Sequence, residues 1–204
     1  QLIKINFLNN IYNIKVNLIG DFQINNLFAA MLGSYLSIKD PNKIIKTLPK
    51  INSANGRMQY VGSKKKSVVV VDYAHTPDAL KKSIITLTKQ FSKKVDVVFG
   101  CGGNRDKGKR YKMGKIANQF GSKIYLTNDN PRFENPSSII KQIKNGCPRS
   151  RVILDRKVAI KTAIKNLKDD SILLIAGKGH ENYQIINNQR KYFSDQKISK
   201  MFLK

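Results

Sequence analysis

The sequence predicts an α/β protein built on a doubly wound, mostly parallel sheet, and three observations carry that prediction. From Ser67 onward, short β-branched runs alternate with longer amphipathic stretches, the pattern of strands joined by crossover helices. Most of these runs are continuously apolar, as strands buried on both faces require. The stretch from Gln1 to Lys50 reads differently, as a β-hairpin followed by helices, and is expected to belong to another domain. The boundary is expected after residue 52, giving segments 1–52 and 53–204.

The elements follow in chain order. Gln1–Leu8 and Lys15–Ile19 alternate apolar and polar residues around Asn9-Asn10, which predicts a hairpin. A helix is expected from Gln23 to Leu36, with Ile24, Leu27, Phe28, Met31, Leu32 and Tyr35 on one face. Asp40-Pro41 opens a short helix ending near Pro49, and Ile51–Gly56 reads as a linker. Ser67–Val71 is a buried strand. Thr76 then caps a helix with Pro77 in its first position, running to Phe91 with Leu80, Ile84, Leu87 and Phe91 on one face. Val95–Phe99 is the next strand, followed by a helix over Lys109–Phe120 that turns Met113, Ile116, Ala117 and Phe120 inward. Lys123–Thr127 is a strand, Asn135-Pro136 opens a helix carrying Ile139, Ile140 and Ile143, and Val152–Leu154 is a strand again. A helix over Val158–Leu167 leads to the strand Ile172–Ala176. Tyr183–Ile186 and Arg190–Phe193 flank Asn187-Asn188 as a C-terminal hairpin, and Ser194 caps a last helix. The sum is a Rossmann-like sheet with a C-terminal hairpin.

Composition narrows the function classes. Lys+Arg number 38 against 13 Asp+Glu in 204 residues, a formal net charge of +25. An apolar content of 41% supplies a core and excludes a disordered basic tail. Such a charge points first to nucleic acid or an anionic membrane surface. The basic residues are scattered, however, the longest pure run being Lys64-Lys65-Lys66, and neither zinc-finger spacing nor a repeated aromatic-basic motif accompanies them. A basic α/β nucleic-acid-binding module stays as the alternative reading; no specific nucleic acid and no membrane partner are expected. No apolar run approaches the ~20 residues that span a bilayer. The two cysteines, Cys101 and Cys147, imply no disulfide framework, so a reducing cytoplasm is expected. Gln1–Phe7 has no leader pattern and no initiator Met, and the chain is expected to be a piece of something longer.

Four polar clusters each follow a predicted strand: Asp72 to Pro77, Gly100 to Arg110, Asn128 to Arg132, and Gly177 to Glu181. In a parallel sheet, ligands bind beyond the carboxyl ends of the strands, so the four together predict one ligand site. Gly103 to Lys109 spells G-x-x-x-x-G-K, but Arg110 stands where a phosphate loop has Ser or Thr to meet Mg²⁺. Free backbone N–H groups there would suit an anion, and Arg105 a carboxylate; a plain tight turn is the other reading. Asp129, Asn130 and Arg132 offer an acceptor, an amide and a donor, which suits a zwitterionic amino acid, with Pro131 stiffening the loop; an Asx-type turn is the alternative. His75, beyond a strand and before a capped helix, is either structural or placed for a phosphate or carbonyl contact. Lys178 joins Arg105 and Arg132 as cations expected to meet ligand. Two histidines and two scattered cysteines give no metal-site spacing.

Gly56-Arg57-Met58, Asp72-Tyr73-Ala74-His75-Thr76-Pro77-Asp78-Ala79-Leu80, the Gly100–Arg110 loop, Asp129-Asn130-Pro131-Arg132 and Ala176-Gly177-Lys178-Gly179-His180-Glu181 together resemble the C-terminal domain of the Mur ligase family, in its meso-diaminopimelate-adding branch. The similarity runs from Gly56 to Asp195 in consistent order and spacing. Residues 1–52 resemble the tail of that family's central ATP-binding domain, including Gly20-Asp21-Phe22 and Asn26, although Gln23 replaces the usual Asn after Phe22. The resemblance implies an ATP-dependent ligase of bacterial peptidoglycan synthesis. ATP phosphorylates the D-Glu carboxylate of UDP-MurNAc-L-Ala-D-Glu, the amine of meso-diaminopimelate attacks the acyl phosphate, and phosphate leaves. It implies that Arg105, Asp129, Asn130, Pro131, Arg132, Gly177 and Glu181 bind the amino acid, that Arg57 and Asn26 contact ATP, and that His75 and Asp72 are catalytic, Asp72 near the ATP phosphates and His75 near the reacting intermediate. ATP and Mg²⁺ would be held mainly by an upstream domain whose phosphate loop and carbamylated lysine are not in this chain; no metal ligand is assigned here. The piece is expected to be a monomer and inactive alone.

Overall fold

A computed structural model describes residues 1–203. The chain forms two compact units, Gln1–Ala54 and Asn55–Lys204.

In the first unit, strands β1 (Leu2–Phe7) and β2 (Asn10–Lys15) form an antiparallel hairpin. The turn falls on Leu8-Asn9 rather than Asn9-Asn10, and the second strand starts five residues earlier than the expected Lys15, on Asn10. Both turn residues adopt positive φ, 50° and 62°, the requirement of a two-residue turn matched to strand twist. Asn10 is then freed to pair with Phe7. Helix α1 (Asp21–Ile38) begins two residues before the expected Gln23 and buries Gln23, Leu27 and Met31, while Leu32 is exposed. Helix α2 (Pro41–Thr47) is capped by the Asp40 carboxylate, which accepts from the Lys43 N–H at 3.0 Å, and a 3₁₀ turn over Leu48–Lys50 follows. Ile5, Phe7, Ile14, Val16, Leu27, Met31, Ile44 and Leu48 make this unit's core.

The second unit is a six-stranded sheet in the order β3-β4-β8-β5-β6-β7. Its members are β3 (Gln59–Lys64), β4 (Ser67–Asp72), β5 (Val95–Phe99), β6 (Ile124–Leu126), β7 (Arg151–Val152) and β8 (Ile172–Ala176). All neighbours are parallel except β3, which pairs antiparallel with β4 at the edge through a bulge between Tyr60 and Gly62. The sequence pattern did not predict β3, because half-exposed edge strands lack the continuous apolar run that marks the interior ones. Strand β7 starts one residue before the expected Val152 and ends on it, and both its residues are exposed because it closes the opposite edge. Helices α3 (Pro77–Phe91), α4 (Gly108–Phe120) and α5 (Pro136–Lys144) pack in sequence on one another; α6 (Arg156–Lys165) and α7 (Asp195–Phe202) pack together.

Register explains the two layers. Val69, Val71, Leu173, Ile175, Val98 and Tyr125 project to one face, where α6 adds Ala159, Ile160, Ala163 and Ile164, and Ile198 and Phe202 of α7 pack against them. The alternate residues Val70, Leu174, Val97 and Phe99 project to the other. The same parity sends Asp72, at the end of β4, toward α3. The C-terminal hairpin pairs β9 (Tyr183–Ile186) with β10 (Gln189–Tyr192) across Asn187-Asn188, and the Ser194 hydroxyl caps α7.

Candidate functional site

The four polar clusters leave the carboxyl ends of β4, β5, β6 and β8 on one edge of the sheet, and they touch. Gly56 (φ +67°) lies so close to Gly179 that a Cβ there would stand 2.1 Å from the His180 nitrogen, so the turn before β3 admits only glycine. Lys109 Nζ donates to the His75 carbonyl at 3.0 Å, joining the second cluster to the first. The Gly103 N–H donates to the Asn130 carbonyl at 2.9 Å, joining the second to the third.

The third and fourth clusters meet around Lys178. Its side chain is fully buried, with Nζ 2.9 Å from Asn130 Oδ1, 3.1 Å from Glu181 Oε2 and 3.6 Å from Asp129 Oδ1. The expectation that Lys178 meets ligand directly is therefore corrected: its donors are spent inside the protein. Asn130 Nδ2 donates to Glu181 Oε2 at 3.1 Å, and Gln184 Nε2 holds the Asp129 carbonyl at 2.6 Å. Gly177 needs its φ of +112° and its missing side chain, because a Cβ would sit 2.8 Å from Asp129 Oδ2. Pro131 is buried beside them. Its carbonyl lies against Gly103, accounting for the tight join of the two loops.

The glycine-rich loop is not a phosphate cradle. The Gly103 N–H is taken by Asn130, the Asn104 N–H by a Glu134 carboxylate oxygen, and the Gly108 N–H by Asp106 Oδ1 at 2.8 Å. Arg110, at the position of the missing hydroxyl, is fully buried and grips Glu134 with two prongs at 2.8 and 2.9 Å. Hydrogen bonds from the Arg110 guanidinium, then from the Asn104 N–H, hold the Glu134 carboxyl down at about 2. The loop is thus braced from within. It presents Arg105, which is exposed and has no hydrogen-bonding partner among the described residues. Arg132 (φ 52°) donates from Nη1 to the Gly103 carbonyl at 2.9 Å, while its main chain holds Ile185 and Asn187 of the hairpin.

The first cluster is built on Asp72. Its Oδ1 accepts from the Met58 N–H at 3.0 Å and its Oδ2 from the Ser83 hydroxyl at 2.6 Å, so the carboxylate ties the Gly56-Arg57-Met58 turn to α3. Arg57 lies over the Tyr73 ring at 4.7 Å, and His75 and His180 pack beside that ring at 4.6 and 5.1 Å. His75 Nδ1 is 2.9 Å from the Tyr73 carbonyl. A carbonyl only accepts, so Nδ1 carries the proton and Nε2 is left for chemistry. Asn26 is exposed on α1, in the other unit.

One pair at this edge had no signal in the sequence. Arg156, at the start of α6, and Asp195, at the start of α7, form a fully buried two-pronged pair at 2.8 and 2.7 Å; Arg156 also donates to the Ala176 carbonyl at 3.0 Å, at the end of β8. Burial disfavours its charge, but Asp195 outweighs that and raises the guanidinium's proton affinity. Among the described residues no group of three or more His, Cys, Asp or Glu side chains is placed to hold a metal ion. The acidic groups Asp72, Asp129, Glu134 and Glu181 are already engaged by donors of the chain.

Residues 56–179 match the family model described as "Mur ligase, glutamate ligase domain". The chain belongs to the Mur ligase family. Among curated relatives of this family, the UDP-N-acetylmuramoyl-L-alanyl-D-glutamate–2,6-diaminopimelate ligase of Rickettsia typhi is 44% identical over 207 residues, covering 100% of this chain and 42% of that protein. The chain thus spans about two fifths of the length of that relative. A solved structure of a ligase of that same name superposes with a TM-score of 0.74 at 37% identity, over 98% of this chain and 42% of that one. The folylpolyglutamate synthase of Mycobacterium tuberculosis, solved with ADP and AMPPCP, shares the fold with a TM-score of 0.64 at 18% identity, over 82% of this chain and 40% of that one. The Mur ligase fold therefore accounts for the mostly parallel sheet and for the edge on which the polar clusters gather.

Proposed function

We propose that this chain is the amino-acid-binding part of a cytoplasmic bacterial ligase that joins meso-diaminopimelate to UDP-MurNAc-L-Ala-D-Glu at the expense of ATP, through an acyl phosphate. The observation that carries the reading is the charge arrangement at the sheet edge: an unengaged Arg105 guanidinium on one loop, and Asp129, Asn130 and Glu181 gathered on the two neighbouring loops. Diaminopimelate ends in a zwitterion distant from its reacting amine, and this set offers a donor for a carboxylate and acceptors for an ammonium. The names of the relatives support the same reading.

Within that reading, Arg105 grips the distal carboxylate, Asp129 and Glu181 receive the distal ammonium, and Asn130 contacts the amino acid through its amide. Gly177 and Pro131 shape the floor. Arg132 serves mainly by holding the Gly103 carbonyl and only through its remaining nitrogens meets ligand. Asp72 acts by fixing the turn that carries Arg57, the residue proposed to reach the ATP phosphates; Asn26 is proposed separately as an ATP contact. His75 Nε2 is the available proton acceptor near the reacting amine. The amides of the glycine-rich loop and the carboxylates gathered at this edge are already engaged within the chain, so Mg²⁺ and most of the ATP contacts are assigned to another part of the protein. A monomer is proposed. Nucleic acid is not the favoured partner, because the lysines are dispersed and the placed arginines face this site.

The test is ADP release by the full-length protein. Release is expected only when UDP-MurNAc-dipeptide and meso-diaminopimelate are both present. Equal activity with lysine in place of diaminopimelate would overturn the site assignment.

A further inference from the structure

Lys178 is a fully buried ammonium with two hydrogen-bond acceptors, Asn130 Oδ1 and Glu181 Oε2, and an ion-pair neighbour in Asp129 at 3.6 Å, in the middle of side chains proposed to read the amino acid. The atoms around it leave little freedom. Asn130 Oδ1 lies 2.9 Å from Lys178 Nζ and 3.0 Å from the Ile185 N–H, and both of those groups only donate. The carboxamide is therefore fixed with its oxygen inward and its nitrogen toward Glu181. One Nδ2 proton goes to Glu181 Oε2, and the other is uncommitted. Glu181 Oε2 takes both that proton and one from Lys178, which leaves Oε1 uncommitted. Two carboxylates, Asp129 and Glu181, face this one ammonium, with Arg156, itself paired to Asp195, also in electrostatic reach of both.

We propose that Lys178 is a positioning residue that sets the polarity of the amino-acid site: it holds Asn130 as a donor toward a ligand carboxylate and Glu181 Oε1 as the acceptor for a ligand ammonium. The proposal rests on the functional reading above, and extends it to a residue that does not touch substrate. Without Lys178 the Asn130 oxygen loses a charged donor, the carboxamide is free to turn, and Asp129 and Glu181 face each other with no cation between them.

The test uses the full-length ligase and Lys178→Met, Asn130→Ala and the double variant. In Lys178→Met the KM for diaminopimelate rises on the order of tenfold to a hundredfold, the loss expected for a charge-assisted contact, while the KM for ATP does not change. The double variant is no worse than the poorer single one, because both remove the same arrangement. An unchanged diaminopimelate KM in Lys178→Met, or additive effects in the cycle, overturns the proposal. Lys178→Gln, which keeps a shorter neutral donor, carries the same test if the Met variant does not fold. Failure of the functional reading is separate: it shows as wild-type protein that releases no ADP with diaminopimelate. In that event the side-chain amide protons of Asn130 still decide the matter by NMR. They are slow to exchange in the wild type and collapse to exposed-amide behaviour in the Lys178 variant; indifference to the substitution overturns the proposal.

Discussion

Arg156 and Asp195 meet as a two-pronged ion pair with both side chains fully buried, joining the first turns of α6 and α7 to the carboxyl end of β8. Buried pairs stabilise little against well-packed apolar replacements, yet breaking one side strands a charge in the interior. Arg156→Met or Asp195→Leu alone is expected to cost about 3–5 kcal/mol. The Arg156→Met/Asp195→Leu double variant is expected to cost less than either. Urea unfolding of the set reads the difference, and a double variant as unstable as the sum of the singles would show that the two do not act as a pair.

Glu134 makes stability depend on pH. Its carboxyl is lowered from an ordinary 4.5 to about 2, first by the Arg110 hydrogen bonds and then by the Asn104 N–H. As pH falls below the ordinary value the unfolded chain takes up a proton that the folded chain still refuses. The contribution is therefore full above about pH 4.5 and disappears as pH falls through about 2. The Glu134 side chain keeps 18% of its exposure, so water screens part of the effect. Stability measured by denaturant between those limits is expected to slope downward with acid, and Glu134→Gln to flatten the slope. A slope that survives the substitution unchanged belongs to other carboxylates.

Cys101 and Cys147 are expected to be inert in the folded protein. Burial pushes the Cys101 thiol up to about 12 and raises Cys147 as well. The thiolate is the reactive species, and both side chains are buried. Mass spectrometry after alkylation at neutral pH should find neither modified in native protein and both modified in urea. Rapid labelling of native Cys101 would contradict the packing of the β5–α4 loop against Met113.

Much of this was legible because its signals are local. The runs at Ser67 and Ile172 are apolar almost throughout and the run at Val95 is broken only by Asp96, and these became the three adjacent inner strands β4, β8 and β5. The caps at Thr76, Asn135 and Ser194 are single side chains acting within three residues of the chain, and each accepts the N–H that its position implies. The meeting of the polar clusters follows from topology alone, since parallel strands put all their carboxyl ends on one edge. What spacing does not encode is partner choice across the fold. Arg156 and Asp195 are 39 residues apart, and Lys178 reaches Asn130 across 48. Nothing near either marks it as buried. The glycine-rich loop misleads for the same reason: its amides look free until Asp106, Asn130 and Glu134 are seen to occupy them.

Arg105 and Arg132 look alike in sequence, but the structure gives them different work, and two alanine variants separate it. Arg105 is exposed with no hydrogen-bonding partner among the described residues, so its removal disturbs nothing in the folded chain. Arg105→Ala should keep wild-type stability within about 0.5 kcal/mol, as surface substitutions do. In the full-length ligase it should raise the diaminopimelate KM on the order of tenfold to a hundredfold, the loss of about 1.5–3 kcal/mol of charge-assisted contact. Arg132 donates to the Gly103 carbonyl at 2.9 Å and sits beside the Asn130 carbonyl at 3.4 Å, so it braces both loops whether or not ligand is present. Arg132→Ala should lower stability by about 1–2 kcal/mol and weaken the amino acid as a consequence of a loosened loop. Thermal melts and initial rates on the same preparations decide between the two roles. An Arg105→Ala protein that melts early, or an Arg132→Ala protein that melts with the wild type, would reverse them: the loop would hang on Arg105, and Arg132 would be the one free to grip the carboxylate.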